Sequence, residues 1–331
     1  MKVTMKEVAR LAGVGVGTVS RVLNNGSVKA TTRQKVEAAI AELGYQPDFY
    51  ARGLKTNRTQ TVALILPSVW HPFFAEFAFR VEKSLEARHY KMYLCDSDGN
   101  AEKEKDYIQL VAQNKVDGII GITYSDIDKY ISSNLPFVSI DRYFTEDVIY
   151  VTADNSTGGR MAVSELVARG CKNIAYIGGY QETPNETKSR RKYFEIECNE
   201  RGLSYQVLDM LEPITWPNLV QQVQALIRQH PTIDGIFTIN DGMALDVIRI
   251  LRGQGYRIPE DIQVIGFDGQ RINDGADYLV STIAQPVKEM AEQAVALLIA
   301  VIEGQTVPQR TVLPVHFEDG GTTRPRQIDL R

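Results

Sequence analysis

Two groups of residues in this 331-residue sequence have the types and spacing to do chemistry. The first is AGVGVGTVSR, residues 12–21, with glycines at 13, 15 and 17. Such a stretch either cradles a phosphate with backbone N–H groups, as in a nucleotide-binding enzyme, or forms the turn and reading helix of a DNA-binding module. The second group is a set of polar residues that each follow a short apolar run: Ser68, Asp96, Asp141, Asn240 with Asp241, and Asp268. In an α/β sheet, ligands sit beyond the carboxyl ends of the strands, so these side chains would converge on a cleft. Taken singly, each is more readily a turn or helix cap.

Several chemistries are excluded by context. A dinucleotide fingerprint needs GxGxxG directly after an apolar strand, whereas here no glycine stands at position 20 and a charged amphipathic segment precedes. No Lys-Ser/Thr pair follows, so the stretch is not a Walker loop. Cys95, Cys171 and Cys198 lie far apart outside any CxxC and read as buried free thiols. His71, His89, His230 and His316 show no ligand spacing, so neither a metal site nor a cofactor is expected. No nucleophile elbow supports an enzyme. No run of 18 apolar residues suggests a membrane span, and the charged start lacks a signal core, so a cytoplasmic protein is expected.

The net charge of -4 hides an asymmetry. Residues 1–60 hold ten Lys/Arg against four Asp/Glu, and residues 61–331 hold 27 against 37. A basic head on an acidic body suggests a polyanionic partner for the head alone.

The elements that must position these groups follow from periodicity. Met5, Val8, Ala9 and Ala12 give one apolar helix face, with Thr4 as N-cap and Gly13 as the stop. Val16, Val19, Val22 and Leu23 mark a second helix. A third is predicted from Thr31, with Gln34 completing a capping box, to Gly44. Ala9 at the helix contact, Gly13 four residues on, and Val19 six after that fit a helix-turn-helix core. Residues 48–56 form a weak basic helix or a plain linker, with Tyr50, Ala51 and Leu54 on one side. Beyond residue 60, apolar runs at 61–67, 91–95, 116–122, 136–140, 173–178, 233–239 and 262–267 alternate with amphipathic segments such as 72–88, 101–115, 156–169 and 286–303. That rhythm predicts parallel sheets flanked by helices. The echo of VDGIIGI in IDGIFTI predicts two similar α/β lobes.

The stretches MKEVARLAGVGVGTVSRVLNN, TTRQKVEAAIAELGYQP and ARGLKT resemble the LacI/GalR family of bacterial transcription regulators, and the resemblance extends along essentially the whole chain. It implies an all-α helix-turn-helix head at 1–46, a hinge helix and linker at 47–60, and a periplasmic-binding-protein-like core at 61–331. The two lobes of that core would be 61–155 with 285–315, and 156–284 with 316–331. It also implies a dimer on a palindromic, double-stranded DNA operator, with no enzymatic activity. Val16 and Gly17 then occupy base-reading positions, with Thr18, Ser20 and Arg21 at phosphate and base contacts, and Thr4, Asn24, Tyr45, Ala51 and Lys55 beside the DNA. Leu54 matches the leucine wedged into the minor groove. Gly15 replaces a usual serine N-cap, and Gly17 offers no side chain to the bases, so specificity is expected to lean on Arg21, the wedge and DNA shape.

In the core, the resemblance places effector contacts at Trp70, Phe73, Phe74, Asp141, Arg190, Trp216, Asn240 and Asp268. Carboxylates, an amide and a guanidinium for paired hydroxyls, with an aromatic plate for a ring face, suit a sugar or sugar phosphate. Arg190 with Lys188 would also serve a phosphate or a purine corepressor. A catabolite-control-type regulator with a phosphorylated carrier protein is the alternative, and a transport solute-binding protein is a further rival. Leu297, Leu298, Val301 and Ile302 are the candidates for a dimer interface, with packing into the core the stronger alternative. The absence of a leucine-heptad tail favours a homodimer over a tetramer.

Overall fold

The computed structural model describes residues 3–23, 26–45, 58–113, 115–131, 135–144 and 148–327, in two compact units, 1–60 and 61–331. The expected contacts Asn24, Ala51, Leu54 and Lys55, and with them residues 48–56, lie outside the described residues.

The first unit holds α1 (Met5–Ala12), α2 (Val16–Leu23) and α3 (Ala30–Leu43). Gly13 ends α1 at φ 63°, and its turn is closed by bonds from the amides of Gly13 and Val14 to the carbonyls of Arg10 and Ala9. A residue with a Cβ is strained in that left-handed conformation. The Gly15 carbonyl accepts the amides of Thr18 and Val19 at 2.8 and 3.2 Å, so Gly15 opens α2 as an N-cap without a side chain. Val8, Ala9, Val19, Val22, Val36 and Ala39 form the core of this unit. One expectation is corrected. The third helix starts at Ala30 with Lys29 as N-cap, so Thr31 is already helical and the Thr31–Gln34 capping box does not form.

The second unit contains two six-stranded sheets. The first comprises β1 (Thr61–Leu66), β2 (Lys91–Asp96), β3 (Gly118–Gly121), β4 (Phe137–Ile140), β5 (Ile149–Ala153) and β11 (Arg310–Leu313), all parallel, in the order β11-β5-β4-β3-β1-β2. The second comprises β6 (Asn173–Tyr180), β7 (Ser204–Leu211), β8 (Gly235–Thr238), β9 (Gln263–Asp268), β10 (Thr282–Ala284) and β12 (His316–Glu318), in the order β12-β10-β9-β8-β6-β7. It is parallel except for β12, which runs against β10. The repeated sequences VDGIIGI and IDGIFTI fall on β3 and β8, which hold the same place in the two orders.

Apolar side chains on alternate faces of each sheet dictate which helices cover it. In the first lobe, Val62, Leu64 and Leu66 face α4 (Pro72–Glu86) and α10 (Val287–Ile302), while Ala63 and Ile65 face α5 (Ala101–Ala112). In the second, Ile174 and Tyr176 face α6 (Asn155–Ala168) and α7 (Lys188–Glu200), while Ala175 and Ile177 face α8 (Trp216–Gln229) and α9 (Asp241–Gly253). The chain passes between the lobes three times: from β5 into α6, from β10 into α10, and from β11 into β12.

Of the two readings for Leu297 and Leu298, dimer interface or core packing, the structure gives core packing. These leucines are 7% and 0% exposed, and Leu298 fills the space that the missing side chain of Gly118 leaves open.

The helix pair that carries the cleft arginine depends on Gly159. A Cβ there would overlap the Arg190 carbonyl and lie 3.1 Å from the Phe194 amide, so only glycine lets α6 lie this close to α7. Gly159→Ala is therefore expected to destabilise the protein by about 1–3 kcal/mol through overpacking. This should outweigh the roughly 1 kcal/mol that alanine gains in a helix. Urea unfolding of the two proteins measures it, and an unchanged or raised midpoint would contradict the packing argument.

Candidate functional site

In the head, α2 buries Val19 and Val22 and turns Val16, Gly17 and Arg21 outward, with Val16 42% exposed. Thr18 and Ser20 are half-buried beside them. A Cβ on Gly17 would meet nothing within 4 Å, so this position is open to solution. Thr4 is exposed, but its amide and hydroxyl both donate to the Glu7 carboxylate, at 2.7 and 2.9 Å, and so fasten the start of α1. These bonds hold the Glu7 carboxyl below its ordinary range. Tyr45 departs from expectation: at 8% exposure it is packed into the core of the head, because the chain turns back at Gly44 and its amide bonds to the Ile40 carbonyl. Lys6, Arg10 and Lys29 are exposed and add to the positive surface.

In the second unit, the carboxyl ends of both sheets face a cavity of about 620 Å³. Its walls include Phe73, Phe74 and Asp141 from the first lobe, and Arg190, Asn240, Asp268 and Gln285 from the second lobe and its crossover. Arg190, on the first turn of α7, is 4% exposed. Its Nε donates to Asn155 Oδ1 at 2.7 Å and its Nη1 to the Ile239 carbonyl at 2.7 Å. The same nitrogen lies 3.5 Å from Asp268 Oδ1. The guanidinium carbon sits 3.6 Å over the Phe267 ring.

Asp141 and Asp268 end β4 and β9 at φ 55° and 118°, left-handed conformations that turn each residue out of its strand. Asp141 accepts the Thr152 hydroxyl at 2.6 Å, and Asp268 accepts the Gln285 amide at 2.8 Å. Burial raises both carboxyls above their ordinary range, with the Arg190 charge opposing. Asn240 caps α9 by accepting the Met243 amide at 2.8 Å, and it also lines the cavity. Phe74 meets Phe73 edge-on with 5.7 Å between centroids, and His71 lies 4.9 Å from Phe74. Four buried polar atoms of this wall, His71 Nδ1, Gln181 Oε1, Asp209 Oδ1 and Gln285 Oε1, have no hydrogen-bond partner among the described residues. Such atoms are costly unless a ligand or solvent satisfies them.

The lobes are also latched directly. The Glu186 amide donates to the Asp141 carbonyl at 2.8 Å, and its carboxylate meets Tyr150 and Arg310, each at 3.3 Å. The Thr183 hydroxyl donates to the Tyr124 carbonyl at 2.9 Å. Arg80 of the first lobe pairs with Asp274 of the second.

Four expected positions fall elsewhere. Trp70 is 92% exposed and does not line the cavity, because the turn before α4 directs it outward while Phe73 and Phe74 turn in. Trp216 opens α8, on the opposite face of the second sheet from α7. It is 41% exposed, with the Arg249 guanidinium 4.8 Å over its ring, and is absent from the cavity wall. Ser68 and Asp96 serve turns: Ser68 accepts the Trp70 amide and Asp96 those of Val69 and Asp98. The sequence reading missed Gln285, Tyr124, Tyr180, Gln181, Asp209 and Glu212, all on the cavity wall. Its one available signal was the Gly178-Gly179 pair ending β6.

Asp241 separates from Asn240 in role. Its Oδ2 accepts the amides of Gly269 and Gln270 at 2.9 and 2.7 Å, while Oδ1 is buried without a partner against Gly266. Burial first, and then the nearby Asp268 carboxylate, push its carboxyl well above the ordinary range. Cys95, Cys171 and Cys198 are buried free thiols, and among the described residues no group of His, Cys, Asp and Glu is placed to hold a metal.

Comparison with known proteins gives the following. Residues 4–48 match the family described as bacterial regulatory proteins, lacI family, and residues 163–323 match the periplasmic binding protein-like domain. The chain is 34% identical over 326 residues to a sucrose operon repressor of Pediococcus pentosaceus, covering 97% of this chain and all of the relative. It is 36% identical over 303 residues to a ribose operon repressor of Halalkalibacterium halodurans, covering 91% and 90%. Among solved structures, a transcriptional regulator, CelR, in complex with cellobiose superposes with a TM-score of 0.69 at 30% identity, covering 97% of this chain and 99% of the other.

The buried Asp241 makes stability depend on pH. A carboxyl whose folded pKa is raised keeps its proton to higher pH in the folded state than in the unfolded chain. Stability therefore falls as pH rises above about 4, the unfolded value, and levels off once the folded group has ionised. Asp241→Asn removes this contribution, so the variant should lose less stability than the wild type between about pH 4 and neutrality. Asp141 and Asp268, also raised, leave a residual slope. Urea midpoints measured across that range check it, and parallel curves would refute the assignment.

Proposed function

The chain belongs to the LacI family of bacterial regulatory proteins, DNA-binding transcriptional regulators rather than enzymes, and from that premise we propose that it represses a carbohydrate-utilisation operon under the control of a saccharide bound in its interlobe cavity. The observation that carries the effector reading is the cavity wall itself. Asp141, Asn240, Asp268 and Arg190 offer directed partners for paired hydroxyls, and Phe73 and Phe74 offer an apolar surface for a ring face. The relatives named for sucrose and ribose operons, and the cellobiose complex, support the same class.

The protein acts in the cytoplasm as a homodimer. Among the described residues no helix is long and apolar enough to cross a membrane. With Leu297 and Leu298 in the core, the subunit contact falls to the half-buried Val301 and Ile302 and to exposed apolar residues. Among the latter, Tyr93 and Leu94 on edge strand β2, Phe79 on α4, and Leu245, Ile272 and Leu279 in the second lobe are the candidates. An edge strand with exposed apolar side chains is a ready surface for a second chain.

Control follows from population shift. The effector touches both lobes, so it favours one arrangement of them over another. Moving operator occupancy from 99% to 1% requires a preference of about 5.5 kcal/mol. The test is a gel shift on a palindromic operator and on its half-site, with and without a panel of saccharides. A saccharide that alters binding to the palindrome, with far weaker binding to the half-site, is the expected result. Operator binding that no saccharide changes would sink the effector reading.

In the head, Val16 and Gly17 face the bases and Arg21 the bases or phosphates. Because Gly17 opens to solution, Gly17→Gln adds a base-reading amide without crowding the fold. It is expected to change the preferred operator sequence while leaving the unfolding temperature within a few degrees. Operator selection from a random DNA pool measures the first and calorimetry the second. Identical selection profiles would remove residue 17 from the interface.

A further inference from the structure

The cavity is longer than the group of residues around Arg190 requires. Its wall crosses four adjacent strands near their ends, from Asp268 at the end of β9, through Asn240 after β8 and Tyr180 at the end of β6, to Asp209 on β7. Three strand spacings amount to about 14 Å. A single pyranose with its hydroxyls is shorter than that row by roughly a factor of two.

The far end is a built site. Asp209 is 9% exposed, and its Oδ2 accepts Arg191 Nη1 at 2.9 Å, but its Oδ1 is buried without a partner. Gln181 donates its amide to Glu212 at 2.8 Å, and its Oε1 is likewise buried and unpartnered. Two adjacent glycines make the room. A Cβ on Gly178, whose register partner is Asp209, would collide with the Tyr176 hydroxyl, and one on Gly179 would lie 2.8 Å from Glu212 Oε1. Tyr180 supplies an aromatic surface beside them. Both unpartnered atoms are acceptors, so the missing partners are donors. Of the three carboxylates at this end, Arg191 pairs with Glu195 and Asp209, and Lys188 and Lys192 line the same wall, so charge alone does not select the ligand. A phosphate dianion would bring these two atoms no donor, whereas an uncharged polyol brings hydroxyl donors.

We propose that Gln181, Asp209 and Glu212, with Tyr180, form a second saccharide subsite that takes an uncharged sugar unit, so that the effector has at least two units and is not a phosphorylated monosaccharide. This rests on the saccharide reading of the site around Arg190.

The test is titration calorimetry of the full chain with common monosaccharides, their 6-phosphates, and disaccharides including sucrose, cellobiose and lactose. It is repeated on Asp209→Asn, which turns an acceptor into a donor, and on Gln181→Leu. A disaccharide should bind at least about tenfold more tightly than its component monosaccharides or their phosphates. Each variant should weaken that disaccharide about tenfold or more, while monosaccharide binding stays within about twofold, because a hydroxyl-reading site discriminates strongly when its partner is lost. Thermal unfolding of both variants establishes that they are folded, and the second keeps the test valid if the first is not. Tightest binding by a monosaccharide phosphate, or equal weakening of monosaccharides and disaccharides by the variants, overturns the second subsite and leaves the inner site standing. Binding of no saccharide at all overturns both.

Discussion

The cavity takes its shape from a guanidinium that has been removed from water. Arg190 is 4% exposed, and a charge so placed is costly unless every direction is answered. Asn155 answers Nε, the Ile239 carbonyl and Asp268 answer Nη1, and the Phe267 ring covers the flat face. These partners come from α6, from the end of β8, and from the last two residues of β9, so one side chain fixes four segments relative to one another. The close approach of α6 and α7 at Gly159 belongs to the same constraint, because it brings Asn155 and Arg190 within bonding distance. Asp141 and Asp268 can then lie buried in one cleft, since the charge that opposes their desolvation is Arg190.

Asp141 joins recognition to movement. Its side chain faces the cavity, while its main-chain carbonyl accepts the Glu186 amide from the other lobe. Glu186 thus rests on a residue of the cavity wall. A ligand that reorients Asp141 acts on the latch, and a change in the latch alters the cavity. Reciprocity of this kind is what linkage requires of any coupling between two sites.

Much of this was legible in the sequence, for reasons that also mark where reading fails. Strands β1, β3, β4, β6, β8 and β9 are central and apolar on both faces, so they stand out as runs. Strand β7 (SYQVLDML) is an edge with half-exposed residues, while β10 and β12 have three residues each, too few to show a pattern. In the site, Asp141, Asn240 and Asp268 follow such runs and line one cavity with Arg190. Trp216 does not, because which face of the sheet a helix covers is settled by the packing of the whole lobe. Asp209 escaped notice because it lies within a strand and not after one. The two readings left open at Leu297 and Leu298 have a related cause. An amphipathic helix declares that one face is apolar but not whether that face meets its own sheet or another subunit.

The three passages between lobes have a consequence for how the chain is made. Neither lobe is a continuous stretch: the first sheet waits for β11 at 310–313 and the second for β12 at 316–318, each after all its other strands have been made. On a ribosome adding about 5–20 residues per second, β5 is complete well before the strand that pairs with its free edge emerges. During that interval each nascent lobe presents an open parallel edge, a template for the wrong partner. The two lobes are sealed within a few residues of each other, so the ligand cavity, which needs both, matures in a single late event and not lobe by lobe.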